Sequence, residues 1–145
     1  MYPIRDIKNY DIRGDGLPSK VETVAYVAHM APLVDAENYI NEKYNCDIKL
    51  YVSLKSSYRN TAWEKSKGRS GYSEHTYNFL GACDITCDNF KENQGILLEA
   101  LIAVTRYTRL AIYNGFIHGD YKNAQNDAFV YNSAWVRQYP IKRAA

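Results

Sequence analysis

The stretch RLAIYNGFIHGDY, Arg109 to Tyr121, constrains the fold more tightly than any other part of the 145-residue chain. Asn114-Gly115 between two apolar runs is the strongest short-range signal for a β-hairpin, and it predicts a two-residue type I′ loop. Such a loop fixes the register, with Tyr113 opposite Phe116, Ile112 opposite Ile117, Ala111 opposite His118 and Arg109 opposite Asp120. Paired residues share a face. Phe116, His118 and Asp120 therefore point the same way, and the small Ala111 leaves space in front of the imidazole.

Other elements fit around this hairpin. Ser19-Lys20-Val21-Glu22 after Pro18 has the form of a capping box and predicts a helix start. Apolar residues then recur at Val24, Val27, Ala31 and Val34 and onward to Ile40 and Tyr44, with Pro32 expected to kink or divide the helix. DIKLYVSL alternates, with Ile48, Leu50, Val52 and Leu54 on one face of a strand. GACDITC predicts a second strand with Ala82, Asp84 and Thr86 on one face and Cys83, Ile85 and Cys87 on the other. ILLEALIAVTRY, Ile96 to Tyr107, is apolar almost all round and predicts a buried helix. AFVYNSAWV, Ala128 to Val136, predicts a last strand. The first 18 residues and Trp63 to Tyr72 read as loops, the former as an extended segment. This order indicates one α+β domain over residues 1–145, a small antiparallel sheet with helices packed on it.

Composition narrows the function only slightly. A formal charge of +2 gives no support to a nucleic-acid partner, and no segment approaches the roughly 18 apolar residues that span a bilayer. The amino terminus has no apolar signal region, so no membrane anchor is expected, and a monomer is. Cys46, Cys83 and Cys87 lack the spacing of a disulfide framework, which suggests synthesis in a reducing compartment. Fourteen tyrosines suit half-buried surfaces and polar clefts, with packing the commoner use.

Three features converge: Tyr58-Arg59 after one strand, His75 with Asp84 around the next, and His118 with Asp120 on the hairpin. Two histidines and a carboxylate form a three-ligand zinc set with a fourth position for water, where the pKa of that water falls to about 7. Taken singly, each histidine is better explained by a hydrogen bond in or near the core. Cys83 and Cys87 with His75 form a second possible set, but the thiols point away from Asp84 and read better as small buried hydrophobes. His29, outside every motif, reads as structural.

SSYRN, then YSEH, ACDI and FIHGD with a closing tryptophan strand, resembles the zinc D-alanyl-D-alanine peptidase family, which has a hedgehog-type α+β fold. That family contains D,D-carboxypeptidases, D,D-dipeptidases and the L-alanyl-D-glutamate endopeptidases of phage endolysins. The resemblance covers about Val24 to Val136, in order. It implies that His75, Asp84 and His118 ligate Zn2+, that Arg59 binds a substrate carboxylate or the tetrahedral intermediate, and that Ser73 hydrogen-bonds the substrate peptide. It also implies a catalytic acid near the last ligand, for which Asp120 stands as general base or as an orienting partner. A cross-strand ion pair with Arg109 is the competing role for Asp120. Tyr72, Tyr77 and Tyr113 are candidates to line a substrate cleft, or to pack.

One departure from the pattern is plain. His75 and Asp84 are nine residues apart where the family has seven, and Gly81 sits directly before Ala82. A two-residue insertion in a turn leaves the ligands in place if the strands hold them. The implied function is zinc-dependent hydrolysis of an amide bond in the peptide stem of bacterial peptidoglycan. The enzyme would be made in a bacterial host's cytoplasm and reach the wall after holin release or from a bacteriophage virion. The alternative is a non-catalytic binding or virion-structural domain, consistent with Gly115 standing three residues before His118 where a clear acid would serve.

Overall fold

The computed structural model describes residues 1–12, 16–53, 57–69 and 73–122, together with the backbone of Trp135–Val136. The chain is α+β. Strands β1 (Tyr2–Pro3), β2 (Leu50–Val52), β3 (Ala82–Cys87), β4 (Arg109–Ile112), β5 (Ile117–Asp120) and β6 (Trp135–Val136) form one antiparallel sheet in the order β1-β2-β3-β5-β4-β6. Helices α1 (Ser19–Ala25), α2 (Ala31–Tyr44), α3 (Thr61–Ser66) and α4 (Phe90–Val104) complete the fold.

The hairpin register is as expected, pairing Arg109 with Asp120, Ala111 with His118 and Ile112 with Ile117. The turn type is not. Gly115 adopts φ +124° while Asn114 stays out of the left-handed region, whereas a type I′ loop needs both there. The Tyr113 N–H to Phe116 carbonyl bond, at 2.9 Å, keeps the strands aligned regardless.

Alternation along the strands gives the sheet two different faces. Leu50, Val52, Cys83, Ile85, Cys87, Leu110 and Ile117 are buried in one core with Leu33, Ala36, Ile40, Leu97 and Leu101 of the helices. Ala82, Asp84 and Thr86 alternate with the core-facing residues of β3, with Ala82 beside Asp120 and Asp84 beside His118 of β5. Cys83 and Cys87 are buried free thiols, in keeping with their reading as small hydrophobes.

The first helical region departs from the predicted stripe. Val27 is 64% exposed, and the core side is carried by Ala25, Ala28, His29, Leu33, Ala36 and Ile40. The cause is a π-helical turn over Tyr26–Met30, whose wider winding shifts the helical phase ahead of Pro32. Pro32 has no N–H to give the Ala28 carbonyl, and the Tyr121 hydroxyl donates to that carbonyl instead. The division expected at Pro32 is thus a π turn rather than a break. The capping box does not form: α1 begins at Ser19 without a side-chain cap.

Other boundaries also move. Helix α4 starts at Phe90 and stops at Val104, and only one stripe of it is buried, with Ile102 exposed. The first 18 residues are not merely a loop: β1 joins the sheet, Ile4 and Tyr10 are buried, and Asp11 bridges Tyr58. Arg5 reaches Glu37 at 3.0 Å, and Glu37 also accepts the Leu50 N–H at 2.9 Å, tying the amino-terminal segment to α2 and β2. Within the predicted loop Trp63 to Tyr72, part is α3, started by the Asn60 side chain accepting the Trp63 N–H. Leu54, Tyr72 and residues 128–134 of the predicted last strand lie outside the described residues, while Trp135–Val136 pairs with β4.

His29 is structural, as expected. Its Nδ1 meets the Tyr107 hydroxyl and its Nε2 the Leu80 carbonyl, both at 2.7 Å. Burial holds its pKa down to about 4, against the partly offsetting Leu80 carbonyl. A depressed folded pKa means that the unfolded chain takes up the proton first as pH falls. The stability that neutral His29 provides is whole above pH 6.5 and is lost as pH falls towards 4. Denaturant unfolding at pH 7.5 and pH 4.5 is expected to show a stability loss that is about 2 kcal/mol smaller in His29→Gln than in the parent. Equal losses in both would contradict it.

Candidate metal centre

Three elements deliver the site. Asp84 sits at the middle of β3, directly opposite His118 on β5, so the sheet register alone places two of the candidate ligands side by side. His75 comes from a short 3-10 turn, Glu74–Thr76, that leads from α3 back towards β3. Asp84 Oδ1 lies 3.0 Å from His118 Nδ1 and 3.5 Å from His75 Nε2. The two imidazoles stand edge to face with centroids 5.0 Å apart. Asp84 and His75 thus both lie against the His118 ring.

Among the described residues, His75, Asp84 and His118 offer one ligand atom each, all within 4.8 Å of one another. Ligands held at about 2.0–2.1 Å in a tetrahedron stand about 3.3 Å apart, so the observed 3.0 and 3.5 Å bracket the spacing that zinc requires. The donor atoms are also prepared. His75 Nδ1 meets the Ser57 carbonyl at 2.8 Å, which makes it the N–H nitrogen and leaves the Nε2 lone pair towards Asp84. His118 Nε2 meets Asp120 Oδ2 at 2.8 Å, which leaves Nδ1 for the same space. Outer partners of this type fix ring orientation and raise ligand basicity. The residues fit a divalent metal.

Electrostatics agree. Burial works against the Asp84 carboxylate, but the hydrogen bond from His118 outweighs it and holds the pKa at about 2. Burial opposes charge on His118 too, and is overcome by Asp120 and Asp84, which raise its pKa to about 9. Burial keeps His75 below its ordinary value, with Asp84 opposing. Without metal, a proton on His118 does part of the work that a cation would do between the imidazole and Asp84.

Arg59, Ser73 and Asp120 stand around this cluster in roles more specific than the sequence indicates. Arg59 NH2 lies 3.4 Å from Asp84 Oδ2, on the opposite oxygen from the histidines, and its NH1 lies 3.6 Å from Glu64 Oε1. Ser73 donates to Glu64 Oε1 at 2.5 Å, so the proton expected to meet a substrate is committed. Asp120 is fully buried, and both its oxygens are engaged: Oδ1 by Arg109 Nε at 2.7 Å and the Lys122 N–H at 3.0 Å, Oδ2 by Arg109 NH2 and His118. The ion pair and the orienting contact therefore coexist. Tyr113 is at the hairpin tip, 41% exposed and stacked on Phe116.

Two acids stand out only in the structure. Glu64 is completely buried and gathers Arg59, Arg69 and Ser73, which together hold it ionised against the cost of burial. Asn60 as a helix cap is the sequence signal that would have placed it. Glu74, next to His75, is half-buried, and burial followed by the nearby Asp120 charge raises its pKa. No family model matches the chain, and no curated protein or solved structure does either. Among the described residues no helix is long and apolar enough to cross a membrane.

Metal must displace the His118 proton, and that proton is held up to about pH 9. Apparent zinc affinity, measured by chelator competition, is therefore expected to rise about tenfold per pH unit between 7 and 9 and then to level. An affinity independent of pH over that interval would contradict the displacement of a proton held to that pH.

Proposed function

We propose that the chain is a zinc-dependent peptidase acting on an amide bond in the peptide stem of bacterial peptidoglycan, in the manner of phage lytic enzymes. The observation that carries this reading is the convergence of His75 Nε2, Asp84 Oδ1 and His118 Nδ1 on one space, with both imidazole tautomers set from behind. Three protein ligands leave a further position for water or substrate, the arrangement of catalytic rather than structural zinc sites. Zinc bound there supplies a Lewis acid and lowers the pKa of water to about 7.

The chain's own residues do the rest. Arg59 is held by the buried Glu64 and stands beside Asp84, so its fixed charge suits a substrate carboxylate or a developing oxyanion. Asp120, with every oxygen engaged and no exposed surface, orients His118 and does not itself exchange a proton with substrate. We assign that exchange to Glu74, which is half-buried, precedes His75 in the same turn and has its pKa raised by burial and the Asp120 charge. This assigns the acid to the residue before the first ligand, in a chain where Gly115 occupies the position three before the last.

Gly115 also favours a second reading, a non-catalytic binding or virion-structural domain that retains the fold. Defined stem peptides, analysed by mass spectrometry after incubation with zinc-loaded protein, separate the two. Cleavage is expected. It should be lost in His75→Ala, fall about a hundredfold in kcat/KM in Arg59→Ala, and fall in kcat with zinc retained in Glu74→Gln. Zinc uptake without cleavage of any stem peptide would select the binding domain.

A further inference from the structure

The loop that separates His75 from Asp84 is folded around one side chain, Tyr77. Tyr77 itself has φ +60°, and Gly81 at the other end of the loop has φ +76°. A Cβ on Gly81 would fall 2.4–2.6 Å from atoms of the Tyr77 ring, so the ring lies directly on the glycine backbone. The ring also meets His29 and Tyr58 edge-on, at centroid distances of 5.7 and 5.8 Å. Packing explains the ring. It does not explain the hydroxyl.

The Tyr77 hydroxyl is hydrogen-bonded to Ser57 Oγ. Ser57 is fully buried, and its single hydroxyl proton goes to the Ala82 carbonyl at 2.9 Å, so Tyr77 must be the donor in their bond. Ser57 is thereby pinned between the loop and the first residue of β3. Its own carbonyl, at 2.8 Å, receives the Nδ1 proton of His75. A continuous chain runs from Tyr77 through Ser57 to the imidazole whose Nε2 faces Asp84. Ala82, the residue that receives the Ser57 proton, is two positions from Asp84 on the same face of β3.

We propose that Tyr77, acting through Ser57, is a positioning residue for the metal centre: its hydroxyl fixes the tautomer and direction of His75. This rests on the metal-centre reading above. It also accounts for the nine-residue spacing between His75 and Asp84, because the added length forms a latch over Ser57 and leaves both ligands in place. The sequence offers Tyr77 only as a cleft-lining or packing residue and Ser57 only as a member of SSYRN, so their joint role is not marked there.

Tyr77→Phe removes the donor and keeps the ring on Gly81. Zinc affinity by chelator competition is expected to fall at least about tenfold, with a changed visible spectrum of the cobalt-substituted protein. Ser57→Ala should give a similar loss, and the double variant should lose little more than either alone, since both cut one link. In the metal-free proteins, long-range 1H–15N spectra should show His75 as the Nδ1–H tautomer in the parent and as a mixture in Tyr77→Phe. A purely packing role would lower only the unfolding midpoint. If the parent takes up one zinc and Tyr77→Phe matches it in affinity, spectrum and tautomer, the positioning role is overturned and the metal centre stands. No zinc uptake by the parent overturns both.

Discussion

A single carboxylate at the centre of the sheet sets the terms for everything around it. Asp84 is 4% exposed, and an ionised group at that depth is costly unless its oxygens are matched. One oxygen faces two imidazoles and the other a guanidinium. Each of these partners needs support of its own: His75 from Ser57, His118 from Asp120, Arg59 from Glu64. Those supports are tied in turn to Tyr77, Arg109 and Arg69. The polar layer is thus an ordered network on one face of the sheet, while the opposite face and the helices supply the apolar core.

This division explains how a small domain tolerates so much buried charge. The core face needs only alternating apolar residues and helices that fit them, and small residues such as Ala25, Ala28 and Ala36 serve there. The site face is spared the task of providing hydrophobic stabilisation. It can keep His118 charged without metal, with a pKa near 9, because Asp84 and Asp120 flank it. A cation between His118 and Asp84 would take over that proton's role with no change of register.

What could be read in the sequence follows the range of the interactions involved. The hairpin and its register were legible because Asn-Gly and a period of two are local signals, and they brought Ala111, His118 and Asp120 together correctly. The faces of β3 followed from alternation, and with them the separation of Asp84 from the thiols. The phase of the first helix was not legible, because a π turn ahead of Pro32 inserts a winding that no fixed period contains. The support layer was hidden for a different reason. Ser57 acts through its backbone carbonyl, and Glu64 through contacts from Arg59 to Ser73. Such roles depend on which loops meet in space.

The central claim is that His75, Asp84 and His118 hold one divalent metal at the junction of β3 and β5. Anomalous diffraction at the zinc edge, from crystals of the full chain grown with zinc, addresses it most directly. A single strong peak within ligand distance of His75 Nε2, Asp84 Oδ1 and His118 Nδ1 is the predicted result. An absent peak, or one elsewhere on the protein with this cluster empty, would contradict it.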